Sequence, residues 1–124
     1  MTIIEAINRL DNLKFNTYTQ SDKVEWLSRL DSAVKLQIID SHNGGEDVIF
    51  NGYDEDTPVN TVLLVPAPYD EVYLRWMEAQ IDYHNGEYDK FNNSIIMYNT
   101  AFDAYQKHYI STHTPIQLGR RFLF

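Results

Sequence analysis

Seven large side chains, Tyr88, Phe91, Ile95, Tyr98, Phe102, Tyr105 and Tyr109, recur at alternating steps of three and four residues. That spacing puts all seven on one face of an α-helix and does not fit the two-residue alternation of a strand. Read backwards, His84, Ile81, Met77 and Leu74 keep the same rhythm. The run opens with Pro66-Ala67-Pro68-Tyr69-Asp70, a helix-start signal, because proline in a first turn gives up only an N–H that would have no helical partner. Asn85-Gly86 is the one interruption. If it caps a helix, Tyr69 to His84 and Glu87 to about Ser111 form an antiparallel hairpin. If it does not, a single helix of about 60 Å results at 1.5 Å per residue. Helices of that length are uncommon in small domains, which favours the hairpin.

Two further helices precede this stretch. Thr2 with Glu5 makes a capping-box pattern, followed at helical spacing by Ile3 or Ile4, Ile7, Leu10 and Leu13 or Lys14. After a break at Asn16 to Ser21, Thr19 with Asp22, or Ser21 alone, caps a second helix through about Ile39. Its buried stripe is Val24, Leu27, Leu30, Val34 and Ile38, with Trp26 beside it. Ser41-His42-Asn43-Gly44-Gly45 stops it, since glycine accepts the left-handed backbone that ends helices. Between Glu46 and Val65 the pattern is not helical. Val48-Ile49-Phe50 and Thr61 to Val65 are short β-prone runs joined by the turn-rich Asn51 to Pro58, which predicts a β-hairpin or a long ordered loop. The expected fold is mainly α: a bundle of about four helices over residues 1–112, with an insertion at about 46–65 (within 44–66), and an extended arm at 113–124.

Charge is segregated along the chain. From Lys35 to Arg75 no lysine or arginine intervenes, whereas the interval holds Asp40, Glu46, Asp47, Asp54, Glu55, Asp56, Asp70 and Glu71. Residues 1–110 carry eight basic and eighteen acidic side chains, and the rest of the chain carries Arg120 and Arg121 with no acid. Such an acidic body repels nucleic acid, and stacked tyrosines cannot bind single strands without a positive groove. The tail, with Ile116, Leu118, Arg120, Arg121, Phe122, Leu123 and Phe124, is too short to build a core and too apolar to leave in water. No apolar run reaches the eighteen or so residues of a membrane span, and the basic-then-apolar layout of a signal peptide is missing, so a soluble protein that stays where it is made is expected. With no cysteine, a disulfide framework and thiolate metal sites are excluded.

Chemistry is sparse. The histidines, at 42, 84, 108 and 113, do not form the i, i+4 pair of a helical metal site. His84, on the apolar face, reads as a core or edge residue. An EF-hand reading that starts at Asp47 fails, because Ile49 takes a ligand position and Pro58 stands where the bidentate glutamate belongs. The serines form no nucleophile elbow, and there is no glycine-rich phosphate loop. Glu78, Asp82, Glu87 and Asp89 are read as a solvated helix face with Arg75 and Lys90 as partners, not as an acid and base pair. No catalytic residue, metal or cofactor is expected. Nine tyrosines exceed what the core needs, and Trp76, Tyr88, Phe91, Tyr98, Phe102 and Tyr105 are assigned to core packing or contacts between subunits.

Several segments carry a family likeness: Trp26-Leu27 with Leu30-Asp31; Leu64-Val65-Pro66-Ala67-Pro68-Tyr69-Asp70 with Tyr73; Ala79-Gln80-Ile81-Asp82; Asn85-Gly86-Glu87-Tyr88; Phe91-Asn92-Asn93-Ser94; and Tyr98-Asn99 with Ala101-Phe102. Together they resemble the small head-tail connector (adaptor) proteins of tailed phages and prophages of Gram-positive bacteria, over roughly Leu10 to His113. The resemblance implies a helical, non-enzymatic virion protein of the phage neck, assembled in the host cytoplasm. It implies a homo-oligomeric ring, typically of twelve copies, between the portal and a downstream neck or tail protein, with DNA passing through unbound and no membrane involved. By that resemblance the arm residues listed above reach the portal, and Glu46, Asp47, Asp54, Glu55 and Asp56 face the channel or the next neck protein. The acidic balance alone also fits a different class, a DNA mimic or regulatory protein that blocks a nucleic-acid-binding partner.

Overall fold

The structure, a computed structural model, describes residues 1–42 and 44–113. Among the described residues there are four α-helices: α1 (Ile3–Leu13), α2 (Gln20–Val34), α3 (Glu71–His84) and α4 (Tyr88–Thr112). The predicted caps account for the first two. The Thr2 hydroxyl accepts from the Glu5 N–H at 3.3 Å. Thr19 and Asp22 form a reciprocal capping box, with bonds of 3.1 and 3.4 Å.

Helix α2 continues as a π-helical turn, Lys35–Ile39, closed by the Asp40 N–H on the Lys35 carbonyl at 2.9 Å. The extra residue in that turn rotates the apolar stripe, so that adjacent Ile38 and Ile39 are both buried. The chain then reverses through Gly44, at φ 89°, into a 3-10 turn, Gly45–Asp47. Gly45 is obligatory for a different reason: a Cβ there would lie 2.3 Å from the Ile39 carbonyl oxygen.

Asn85-Gly86 is a hairpin turn. Gly86 adopts φ 74°, its N–H bonds the Tyr83 carbonyl at 3.0 Å, and the Glu87 N–H reaches the Asp82 carbonyl at 2.9 Å. This pair of bonds is the Schellman closure, which satisfies the last carbonyls of α3 and sends α4 back along it. Helix α3 starts two residues later than the periodicity suggests, because residues 67–70 form a turn. It is the central element and touches the other three helices. The core comprises Ile3, Ile7 and Leu10 from α1, Leu27, Leu30 and Val34 from α2, Val72, Tyr73, Met77 and Ile81 from α3, and Tyr105 and Tyr109 from α4.

Of the two forms expected for residues 46–65, the structure has the ordered loop. The predicted hairpin arms form no strand among the described residues, and the isolated antiparallel bridge Thr2 to Val62 joins the second arm to the N-terminus. The physical reason lies in where the backbone groups go. Ile3 and Ile4 donate to the carbonyls of Thr61 and Val59 at 3.0 and 2.9 Å, and Leu63 donates to Met1 at 3.0 Å. With the second arm taken up by residues 1–4 and by helix side chains, nothing remains for a ladder to the first arm.

Candidate functional site

The loop is held by one buried carboxylate. Asp31, on the inner face of α2, has no solvent exposure and accepts three hydrogen bonds: from Tyr53 Oη at 2.5 Å, Tyr73 Oη at 2.6 Å and the Leu64 N–H at 3.1 Å. Tyr73 Oη in turn accepts from the Val65 N–H at 2.7 Å. The turn-rich segment of the loop, its second arm and helix α3 are thereby tied to α2 at one point. Burial pushes the Asp31 carboxyl upward, although all three hydrogen bonds favour its charged form. Burial and the neighbouring carboxylate push both tyrosine hydroxyls far above the ordinary phenol range, so both remain donors. Residues 26–31 and 64–73 meet at this hub.

The acidic residues of the loop are all exposed, but they form two groups. Glu46 and Asp47 sit on the 3-10 turn at the C-terminal end of α2, where Gly45 packs on Ile39. Asp54, Glu55 and Asp56 lie at its N-terminal end. There the Tyr53 N–H donates to Ser28 Oγ at 3.0 Å, and Ser21 Oγ donates to Glu55 at 3.3 Å. Asp54 closes its own turn by accepting from the N–H groups of Asp56 and Thr57 at 2.9 and 3.0 Å. Between this turn and α2 lies an open cleft of about 400 Å³, lined by Val24, Glu25, Tyr53, Asp54, Glu55 and Val59 among others. A cleft walled by carboxylates disfavours phosphate and favours cationic groups.

The aromatic stripe is graded along α4. Tyr105 and Tyr109 are buried, and burial pushes Tyr105 up to about 12. Tyr98 and Phe102 are half-buried, with Tyr98 4.9 Å from the Trp76 ring, and burial pushes Tyr98 up to about 12. Trp76 donates to the Trp26 carbonyl at 2.8 Å. Phe91 rests on Tyr83 at 5.4 Å. Tyr88, assigned to core packing or contacts between subunits, takes no part in the core: at 62% exposure it lies past its end, 6.2 Å from the Tyr83 ring. The arm residues Ile116, Leu118, Arg120, Arg121, Phe122, Leu123 and Phe124 lie outside the described residues.

The acidic face predicted on α3 and α4 is only partly a face. Glu78 and Glu87 pair with Arg75 and Lys90 at 3.5 and 2.8 Å, as expected. Asp82 is instead buried at 1% exposure, where it pairs with Lys14 and accepts from Ser94 Oγ. Periodicity alone could not distinguish it from its solvated neighbours. His84 is an edge residue, exposed but stacked on Trp26 at 5.8 Å.

Sequence reasoning also missed Asp31, Tyr53 and Tyr73. The available signal was an acid one residue after Leu30 and three before Val34, inside an apolar stripe where a carboxylate needs donors. Nor did spacing reveal that His42, His108 and His113 converge with Tyr69, Tyr105 and Tyr109 where α4 ends. Rings there are stacked at 3.7 Å for Tyr109 with His113 and 4.7 Å for Tyr69 with His108. Among the described residues no cluster of three potential ligands could hold a metal ion, and no helix is long and apolar enough to cross a membrane. No family model, curated protein or solved structure matches this chain.

Proposed function

We propose that this chain is a structural adaptor of a tailed-phage neck, forming a ring that joins the capsid portal to the tail and surrounds the DNA passage. The observation that carries this reading is the division of charge. A tied-down loop presents Glu46, Asp47, Asp54, Glu55 and Asp56 to solvent, while the basic, apolar residues 116–124 follow the C-terminal end of α4. An acidic lining gives DNA phosphates no counterion-release attraction, so DNA slides without sticking. A basic, apolar arm suits insertion between subunits of another ring, where avidity multiplies a modest contact. Half-exposed aromatics on α4, with exposed Ile96 and Met97 beside them, supply surface for lateral contact between copies.

The test is association with purified portal rings, followed by native mass spectrometry and electron microscopy. The full chain is expected to form a ring on the portal. A chain ending at Thr114 is expected to lose that association while its circular dichroism keeps the helical signature. Portal association unchanged by the truncation would remove the arm from the reading, and no association by either chain would sink it.

The exposed acids of the loop also carry a second reading, an acidic protein that occupies the DNA site of a nucleic-acid-binding partner. It predicts a monomer or dimer whose activity survives the same truncation.

A further inference from the structure

A second groove lies at the opposite end of α2 from the acidic cleft. It encloses about 270 Å³ and is walled by Ile39, Val48, Leu64, Pro66, Tyr105 and Tyr109, with His108 and His113 along one side. Ile39, Tyr105 and Tyr109 form its buried floor, and the apolar surface open to solvent comes from half-buried Val48 and Leu64 and from exposed Pro66. That volume leaves room for a few inserted side chains.

We propose that residues 114–124 of the same chain dock in this groove. Continuity is the first argument: His113, the last described residue, already forms part of the wall, stacked on Tyr109 at 3.7 Å. The eleven residues that follow span at most about 40 Å when extended, so the groove lies within reach of every one of them. A segment tethered at the edge of its own receptor has an effective concentration in the millimolar range, which favours the own chain over a second copy.

Chemical fit is the second argument. The groove can take a few of the apolar side chains that the segment offers, Ile116, Leu118, Phe122, Leu123 and Phe124, which suit its aromatic and aliphatic walls. Arg120 and Arg121 carry charge opposite to that of the rim, where Glu46 and Asp47 stand exposed on the turn leading into Val48. The cation on that rim, Lys35, is already paired with Asp40 and donates to the Gly45 carbonyl at 3.1 Å. Arginine can also lie against the tyrosine faces. Docking would give the tail a place on its own body, from which any outside partner must displace it. The proposal does not depend on what that partner is.

The absence of cysteine allows a clean test on the full chain. A spin label on Leu123→Cys is expected to broaden the amide signals of Ile39, Val48, Leu64 and Tyr109 to loss of most of their intensity. Signals of Val24 and Glu55, at the other end of α2, should stay unchanged. Val48→Lys in the labelled chain is expected to restore the Leu64 signal with circular dichroism unaltered. Broadening spread evenly over the surface, or kept in Val48→Lys, would overturn the proposal. So would selective broadening in a mixture of spin-labelled unenriched chain with unlabelled nitrogen-15 chain, because that result puts the segment on a second copy.

Discussion

The loop from Gly45 to Val65 and helix α4 invert the usual link between regular structure and burial. The loop has no strand or α-helix, yet Leu63 and Val65 are at 3% and 0% exposure and its backbone is tied to Asp31, Tyr73 and Ser28. Helix α4 is regular for 25 residues, yet only Tyr105 and Tyr109 along it are buried. The difference follows from how each satisfies its peptide groups. A helix pairs them internally and can lie half in water, whereas a loop against a core must borrow partners from side chains. The loop therefore depends on a few polar atoms, and α4 on a few rings at one end.

Removing the loop's anchor tests this most severely. Asp31→Ala leaves Tyr53, Tyr73 and the Leu64 N–H without their acceptor in a dry site and should cost about 3–5 kcal/mol, read from urea unfolding midpoints. A loss below about 1 kcal/mol would mean that the hub does not hold the loop. On the helix side, Tyr105→Ala should cost about 3 kcal/mol through the cavity it leaves, whereas Tyr88→Ala, at the exposed end of the same stripe, should cost under about 0.5 kcal/mol. Equal losses at the two positions would show that α4 is supported evenly along its length. Between these extremes, Tyr53→Phe removes one of the donors to Asp31 and should cost about 1–2 kcal/mol, with faster amide exchange confined to residues 50–57. Exchange rising in α4 instead would separate the hydroxyl from the loop.

The smallest effect is expected from pH. The Asp31 carboxyl in the folded chain is raised above its ordinary 3.8, so the folded state binds the proton more tightly than the unfolded state. Its contribution is therefore complete below that value and declines as pH rises through the folded value. The stability of the native chain relative to Asp31→Asn should accordingly fall over an interval that begins near the ordinary value of 3.8 and runs through the raised folded one. A relative stability that rises over this interval would show that the three hydrogen bonds outweigh burial.

The four helices, the caps of α1 and α2 and the glycine stops were legible in residue order, because each depends on neighbours a few positions apart. Thr19 with Asp22 and Asn85-Gly86 are local devices, and the three-four rhythm is a local rhythm. The loop was legible only as a departure from helix. Its β-prone arms satisfied a local preference that distant atoms overrode, since the Leu64 N–H goes to Asp31 and the Val65 N–H to Tyr73 Oη. Asp82 followed the same logic: four acids at helical spacing look alike until Lys14, 68 residues away, reaches one of them.

By itself, then, the sequence determined the helical class, the element boundaries within a few residues, and the separation of an acidic body from a basic, apolar tail. Hydrogen bonding and apolar periodicity within a helix are set by covalent neighbours, and net charge does not depend on the fold. Only the tertiary structure decided which carboxylates are buried, where the loop is pinned and which tyrosines of the stripe meet a core. Those depend on contacts across tens of residues, where burial can change the meaning of the same side chain from solubility to structure. The groove beside His113 belongs to that second kind: its walls come from α4, the π-helical turn after α2 and both ends of the loop, which meet only when the chain has folded.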